Sequence, residues 1–565
     1  MSKLVSSLRE AVALAGLRDG MTVSFHHHLR NGDYVLNMVM EEIARLGVKD
    51  LTVNASSLFD THAPLADHIR NGIVTAIQTD YMAAGLGKEI SRGLMEKPVQ
   101  FRTHGGRPSA IAGGTTPIDV AFIAAPSADP MGNCTGKFGK SACGSLGYAF
   151  PDAMYAKKVI VITDNLVPYP LQDWSIPEIY VDCVVQVEAI GDPKGIVSGT
   201  TRITRDPVGL VMASYAAKVI EHSGLLQDGF SFQTGAGGAS LAAAGFLKDI
   251  MLAKNIQGSF GLGGITGYMV DMLQAGCFQS LLDVQCFDLK AVESIRTDPR
   301  HQEISALHYA SPSMRSAVVD SLDVVILGAT EIDTDFNVNV HTDSNGYIMG
   351  GSGGHSDTAA GAKLAMIIAP MSRARLPIVT DHVTCGSTPG KDIDVLVTQG
   401  GIAVNPKNAG LAARLKDAGL PIIGIHDLMV HDYGPGRRIV SLHAEVPASG
   451  DILALHDVVD AAEHQLGESM GCLATIHMDP VVTDCGLTAE ARERVSAIVR
   501  LIDPGISIHD FRMVPGPTHT KVIFDAEVPY DCRLPLPEIR ERIQAGVRAL
   551  DGSYSAVVEM ERSYI

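Results

Sequence analysis

From Met21 onward the chain alternates short apolar runs with amphipathic stretches, and this alternation restricts it to an α/β architecture. Met21 to Phe25 is a strand-length run, Leu36, Val39, Met40 and Ile43 then recur at helical spacing, and Leu51 to Val53 is the next run. Further β-like runs stand at Ile73 to Ile77, Val120 to Ala124, Val159 to Ile162 and Val184 to Val187, each closed by Gly, Asp, Ser or Pro. Strands joined through helices return in parallel, so a mostly parallel sheet is expected. The chain becomes helical around residues 205–230 and restarts at QTGAGGASL, followed by SFGLGG, LLDVQCF, LDVVILGATEID and AMIIAP. A second α/β domain begins there.

Near residue 425 the grammar changes. IHDLMVHDYGPGRRIVSLHAEVP reads as two strands around a Gly-Pro-Gly turn, ALHDVVDAAEHQLG as an amphipathic helix, and CLATIHMDPV as a third strand. The order recurs in SIHDFRMVPGPTHTKVIFDAEVP, LPEIRERIQAGVRALDG and YSAVVEMERSY. HAEVP and DAEVP stand at one offset of 82 positions, which pairs His443 with Asp525 (525−443) and His477 with Glu559 (559−477). That common register indicates a duplication. LTAEARERVSAIVRLID, with Leu487, Ala491 and Val495 on one face, reads as a helix connecting the copies.

The net charge of −18 is spread along the chain without a basic stripe to neutralise phosphates, so nucleic acid is not an expected partner. Nine cysteines, sparse and never spaced C-x-x-C, fit a reducing cytoplasm rather than a disulfide framework. The first 21 residues lack the apolar core of a signal peptide and read as a short helix ending near Gly20; no apolar run reaches membrane-spanning length. A cytoplasmic protein, not membrane-inserted, is the expectation.

Three glycine-rich segments fall at expected strand ends: Gly235, Gly237 and Gly238; Gly261, Gly263, Gly264 and Gly267; and Gly350, Gly351, Gly353 and Gly354, which run into His355. Glycine lets backbone N–H groups approach a thioester or carboxylate oxygen; a lone loop of this kind is more often just a tight turn, and three converging ones shift the balance toward a site. Glu331 to Val340 follows an apolar strand. Its carboxylates and amides, Glu331, Asn337 and Asn339 among them, either act on a polycarboxylate or acyl group or cap the next turn. His26, His27 and His28 with Arg30 follow a strand and precede a helix, which suits anion binding better than a chelated metal, because adjacent residues of an extended loop point different ways. His104, Arg107, Lys137 and Lys140 are further anion-binding candidates.

Taken in order, FHHHLRNGDYVLNMVM, SSLFDTHAPL, HGGRPSAI, GKSACGSLGYA, FSFQTGAGGASLA, FGLGGITGYMV, LLDVQCFDLKAVESI, RHQEISALHYASP, EIDTDFNVNV, GGSGGHSDTA and DIDVLVTQGGIAVNP resemble the citrate lyase alpha subunits, within the family I CoA-transferases, over about residues 7–425. The resemblance implies two tandem CoA-transferase-like α/β domains, 1–220 and 221–425, with the active site between them. It implies a reaction in which citrate replaces acetate on an acetyl acyl carrier protein, as part of citrate fermentation. The partners implied are a beta (lyase) subunit, a gamma (acyl carrier) subunit bearing a CoA-like prosthetic group, citrate and acetate; the chain itself would carry no covalent cofactor and form a homo-oligomer. Many CoA-transferases of this family use a glutamate nucleophile shortly after the second glycine loop, where this chain reads GLGGITGYMV. The departure favours a mixed anhydride over a glutamyl thioester, with Glu331 the alternative carboxylate. A CoA-transferase acting on another carboxylic acid is the competing enzyme reading.

Beyond Ile425 the expected lyase-subunit tail is replaced. IHDLMVHDYGPGR, SLHAEV, ALHD and TIHMDP resemble the cytoplasmic domain of cation diffusion facilitator transporters, in two copies. This implies two small ferredoxin-like α+β modules, 426–484 and 506–565, around a connector helix at 485–505. By match, the zinc ligands would be His426, His443, His456, His477 and Asp479; the second copy keeps His509 but carries Asp525, Glu559 and Glu561 in place of His443, His477 and Asp479. A metal-binding or sensing fusion with an inactive transferase part is the third reading.

Overall fold

Val23, Val53, Val74 and the run Val120–Ala125 are almost wholly withdrawn from solvent, as strands covered on both faces must be. The computed structural model describes residues 2–197, 203–235, 237–373, 376–417, 424–432, 438–447, 451–470, 472–481, 485–503, 505–515, 519–529, 532 and 534–562. It divides into two compact units, Met1–Asp417 and Ala418–Ile565.

The first unit holds two eight-stranded sheets. In spatial order the first consists of Leu4–Val5, Cys183–Gln186, Lys158–Thr163, Val120–Ala125, Thr22–Phe25, Leu51–Ala55, Val74–Thr79 and Gln100–Phe101, every pair parallel. After the edge strand Leu4–Val5 the chain enters near the middle at Thr22–Phe25, moves outward through three strands, then returns to Val120–Ala125 on the other side. That reversal makes a topological switch point, where loops leaving neighbouring strands diverge and open a crevice. The second sheet, Ser231–Val404, repeats the plan: it starts at Ser231–Thr234, moves out through Gly258–Ile265, Phe278–Cys286 and His301–Glu303, and returns at Val324–Leu327. Its pairs are parallel except Val395–Thr398 with Gly401–Val404, a hairpin at the edge.

The first helix, Leu8–Ala15, stops earlier than the expected Gly20, because Gly16 takes the left-handed conformation (φ 67°) and its N–H closes the last turn on Ala13. The expected helical stretch after residue 205 is Pro207–His222, with Asp206 capping it and Pro207 in its first turn. Among the described residues no helix is long and apolar enough to cross a membrane.

In the second unit, Gly424–Asp432 pairs antiparallel with Arg438–Pro447, which pairs parallel with Cys472–Val481 across the helix Ile452–Met470. Ser507–Pro515, Thr520–Val528, Leu536–Leu550 and Tyr554–Arg562 repeat this ββαβ order, with a register irregularity at the same place, His426/Met429 in one copy and His509/Arg512 in the other. Among the described residues each sheet has three strands, one fewer than a ferredoxin-like βαββαβ sheet, with a single helix crossover between the last two strands. Cys485–Ile502 lends Ala491, Val495 and Val499 to the same core as Phe524, Ile539, Ile543 and Val547. It is therefore part of the second copy's core.

Candidate active site

Phe25 ends the strand at the first switch point, and the chain turns sharply through His26, His27, His28 and Arg30, with Arg30 at φ 53°. The His26 ring is fixed by the Ala124 N–H, which donates to its Nε2 at 2.9 Å. Burial lowers the His26 pKa to about 4, so the ring is neutral and its proton sits on Nδ1, an atom with no partner. His27 is set by a 2.6 Å bond between Nδ1 and Ser56 Oγ, and its ring lies against Tyr148 (centroids 4.9 Å apart) and His104 (5.9 Å). His28 is buried with neither ring nitrogen partnered. Burial holds His27 and His28 well below the ordinary imidazole pKa, and the cationic Arg30 acts in the same direction on His27. The loop thus presents neutral donors.

The second sheet closes over this loop. Gln285 donates to the His27 carbonyl at 3.0 Å, and Gln233 donates to the Tyr309 hydroxyl at 3.0 Å. The Arg30 guanidinium lies between Phe59 (5.2 Å) and Phe287 (4.7 Å), and desolvation lowers its pKa, so it is a poorly hydrated cation held by two ring faces. Gly264 makes room for Phe287: a Cβ there would collide with the ring. The third glycine segment laces the halves together, the His104 N–H donating to the Gly353 carbonyl (2.8 Å) and the Met82 N–H to that of Gly350 (3.1 Å). A Cβ on Gly351 would strike the Asp80 carbonyl, and one on Gly354 the Tyr309 hydroxyl. Gly351 thus permits close approach between the two halves and Gly354 within the second, a stronger requirement than a turn alone. Gly263, at φ 104°, backs the Gln233 amide.

Carboxylates frame the rings. Asp80, fully buried, meets His104 Nδ1 at 3.0 Å. Asp357 accepts from Thr103 Oγ1 (2.6 Å) and the Gly105 N–H (2.8 Å); burial nevertheless raises its pKa to about 6. Beside Gly147, a cavity of about 700 Å³ extends along the junction, with Lys137, Phe150, Trp174, Glu303 and His308 on its wall.

The sequence candidates separate into two groups. His26, His27, Arg30, His104, Gly263, Gly264, Gly351, Gly353 and Gly354 are brought together. Arg107, His355, Glu331, Asn337 and Asn339 are engaged in holding the fold. Arg107, 1% exposed, makes a bidentate pair with Asp152 (2.8 and 2.7 Å) and donates to Asn54 through Nε. His355 bridges Thr388 and the Gly328 carbonyl, and burial lowers its pKa to about 4. Burial works to raise the Glu331 pKa, but donors from Asn339, the Thr384 backbone and hydroxyl, and Ser344 prevail and hold it below the ordinary value. Asn337 and Asn339 close the neighbouring turns onto Asp333, Gly390 and Thr342. Lys137 pairs with Asp173 (2.9 Å), and Lys140 with the Glu188 carbonyl. Gly235 donates to the Ile326 carbonyl, while Gly237 and Gly238 open the helix Gly238–Ala253 without a side-chain cap; residue 236 lies outside the described residues. Sequence reasoning missed Tyr148, Tyr309, Gln233, Gln285 and Phe287, whose signal is that each stands inside one of the segments that resemble the family.

A family profile described as the alpha subunit of citrate lyase matches residues 1–434. The chain belongs to the citrate lyase alpha subunit family. A curated relative from Klebsiella pneumoniae, a citrate lyase alpha chain, is 51% identical over 426 residues, covering 75% of this chain and 84% of the relative. The citrate lyase alpha chain of Escherichia coli (strain K12) is 51% identical over 423 residues, covering 75% and 83%. A Streptococcus mutans crystal structure, described as the alpha subunit of citrate lyase in complex with citrate, superposes with a TM-score of 0.72 at 50% identity, over 74% of this chain and 82% of that one. A Pseudomonas malonate decarboxylase hetero-tetramer shares the fold, with a TM-score of 0.57 at 18% identity over 74% and 82%.

A second profile, the cytoplasmic domain of cation efflux proteins, matches residues 421–481. There the strand register aligns His426 with His443 and His443 with His477, one row across the sheet, and Glu445 with Asp479. His456 is exposed on the helix Ile452–Met470 and His477 is exposed on its strand. The side chains of His426, His443 and Asp479 lie outside the described residues. The equivalent row in the second copy is His509, Asp525 and Glu559.

Proposed function

We propose that the first unit exchanges acetate for citrate on an acetylated acyl carrier protein, the acyl-transfer step of citrate lyase. A citrate carboxylate oxygen adds to the acetyl thioester carbonyl and the carrier thiolate leaves, giving an acetyl-citryl mixed anhydride. The thiolate then attacks the citryl carbonyl and expels acetate. Atoms balance without a residue-bound intermediate. The observation that carries this reading is the cleft itself: a cation between two aromatic rings and imidazoles kept neutral by burial, in a member of this family that lacks glutamate in the second glycine loop. Arg30 binds a citrate carboxylate, with His26, His27 and His104 beside it. Glycine-loop N–H groups at Gly237, Gly238, Gly263, Gly264, Gly351 and Gly354 supply oxyanion stabilisation, while those of Gly235 and Gly353 hold the loops through the Ile326 and Asp80 carbonyls, and Glu331, Asn337, Asn339, Arg107 and His355 position the surrounding segments.

The transferase spans 1–220 and 221–425, and the tail comprises a ββαβ module at 426–484 and a second at 506–565 whose core takes in the helix expected as a connector at 485–505. The CoA-like group arrives on a gamma subunit, a beta subunit cleaves the citryl product, and the complex works in the cytoplasm. Acetyl carrier or acetyl-CoA mixed with citrate and the full chain releases acetate; folded protein that releases none refutes the proposal. Borohydride or hydroxylamine trapping of a glutamyl thioester would instead support a CoA-transferase using an enzyme carboxylate.

The histidine row favours a second role for the tail: zinc binding by His426, His443, His456, His477 and Asp479. Stoichiometric zinc that His443→Ala with His477→Ala does not diminish refutes it.

A further inference from the structure

On either side of Gln285, the strand Phe278–Cys286 carries Asp283 and Cys286. Three positions apart, they would face opposite ways in a regular strand. Here the pairing with Gly258–Ile265 skips Val284, Gly263 matching Asp283 and Gly264 matching Gln285, and this bulge returns Cys286 to the side of Asp283. His301, on the adjacent parallel strand, completes a trio. Cys286 Sγ and His301 Nε2 reach the same atom, Asp283 Oδ2, at 2.9 and 3.0 Å, and one donor atom from each residue lies within 4.8 Å of the others. All three residues are buried, and Asp283 Oδ1 has no partner. As a hydrogen-bonded cluster this is unbalanced: two donors crowd one carboxylate oxygen while the other is stripped of water and receives nothing.

We infer that Asp283, Cys286 and His301 form a zinc site. Thiolate, imidazole and carboxylate together suit zinc and exclude the hard, all-oxygen preference of magnesium and calcium. His301 has the orienting contact expected of a ligand, its Nδ1 lying 3.0 Å from Ser294 Oγ, so an Nδ1–H tautomer donates there and leaves Nε2 for the metal. Ligand bonds of about 2.0–2.3 Å near tetrahedral angles put donors of different residues roughly 3.2–3.7 Å apart, a few tenths of an ångström beyond the Sγ–Oδ2 and Nε2–Oδ2 separations present, and Oδ1 would join Oδ2 as the second arm of a chelating carboxylate with a narrower bite. Binding ejects the Cys286 thiol proton. Gly144, at φ 84°, closes the site from the first half, where any Cβ would strike Cys286 Sγ. The metal would fix the two strands whose neighbouring residues reach across the unit, Gln285 to the His27 carbonyl and Glu303 to the Leu146 N–H and Ser175.

The test uses the full chain carrying His443→Ala and His477→Ala, so that tail imidazoles do not contribute. After reconstitution with zinc and dialysis against a weak chelator, metal analysis is expected to give about one zinc per chain, and adding Cys286→Ser is expected to remove it while the far-UV spectrum is kept. Zinc-edge X-ray absorption of the parent should show a single sulfur among nitrogen and oxygen ligands, a readout that stands even where the serine variant does not fold. A parent without retained zinc, a first shell without sulfur, or zinc retained in folded Cys286→Ser overturns the assignment, and none of these depends on transferase activity.

Discussion

Replacing Asp152 with alanine isolates what Arg107 does. The Arg107 side chain is almost wholly buried, and Asp152 receives both of its terminal nitrogens at 2.8 and 2.7 Å. Without Asp152 a guanidinium stays in a space that water does not reach, and breaking a buried pair from one side costs about 3–5 kcal/mol. Removing both charges with Arg107→Met and Asp152→Leu eliminates the stranded ion. The remaining loss is the Nε donor to Asn54 Oδ1, about 1–2 kcal/mol. The double variant should therefore be more stable than the single one, an ordering opposite to additivity. Chemical denaturation followed by far-UV circular dichroism measures both, and acetate-release kinetics on the double variant should show a citrate KM within about threefold of the parent, a change of less than 1 kcal/mol. A single variant losing less than about 1 kcal/mol, or a double variant with a citrate KM raised a hundredfold, refutes the argument and returns Arg107 to the substrate.

Arg30→Ala should raise the citrate KM by about 10–100-fold, since it removes a charge-assisted contact worth roughly 1.5–3 kcal/mol, and a parent-like KM would exclude Arg30 from the anion site. Gly264→Ala should push the Phe287 ring away from Arg30 and raise the same KM about tenfold; Phe287→Leu should reproduce the effect, and a Gly264→Ala variant with parent kinetics would refute the link. Asp357 carries a pKa raised from 3.8 to about 6 in the fold, so its contribution to stability is full below about pH 3.8 and is lost as pH rises through 6; Asp357→Asn should flatten the denaturation midpoint across pH 4–6, and an unchanged profile would show that the carboxyl is not held protonated. His26 and His355 have the opposite sign: with folded pKa values near 4 against an ordinary 6.5, their contribution is present above 6.5 and lost as pH falls toward 4, so His355→Gln should reduce the acid sensitivity of unfolding over that range.

The legible part of the fold was whatever repeats along the chain. Strand runs and helical periodicity announced two parallel α/β halves, because burial on both faces leaves uninterrupted apolar runs such as Val120–Ala125. The tail duplication was legible because both copies keep one register, His443 aligned with His477 and Asp525 with Glu559. What the sequence concealed depends on the partners of each residue in space. His27 and Arg107 both read as anion-binding candidates, yet one faces rings from a crevice and the other is locked to Asp152, forty-five positions away. Glu331 reads as an alternative catalytic carboxylate or a substrate-orienting one, and only the fold shows Asn339 and Thr384 donating to it. Val284 gives no local signal at all, although the bulge it makes decides that Asp283 and Cys286 meet rather than face apart. The glycines lie between these extremes: their clustering marks a place where backbone approaches something closely, and only the fold says that for Gly264 the neighbour is Phe287, for Gly354 Tyr309 and for Gly144 a cysteine sulfur. In this chain, then, glycine is informative as a requirement for close approach, across the junction at Gly144 and within the second half at Gly264 and Gly354, and the residues it admits give the cleft its chemistry.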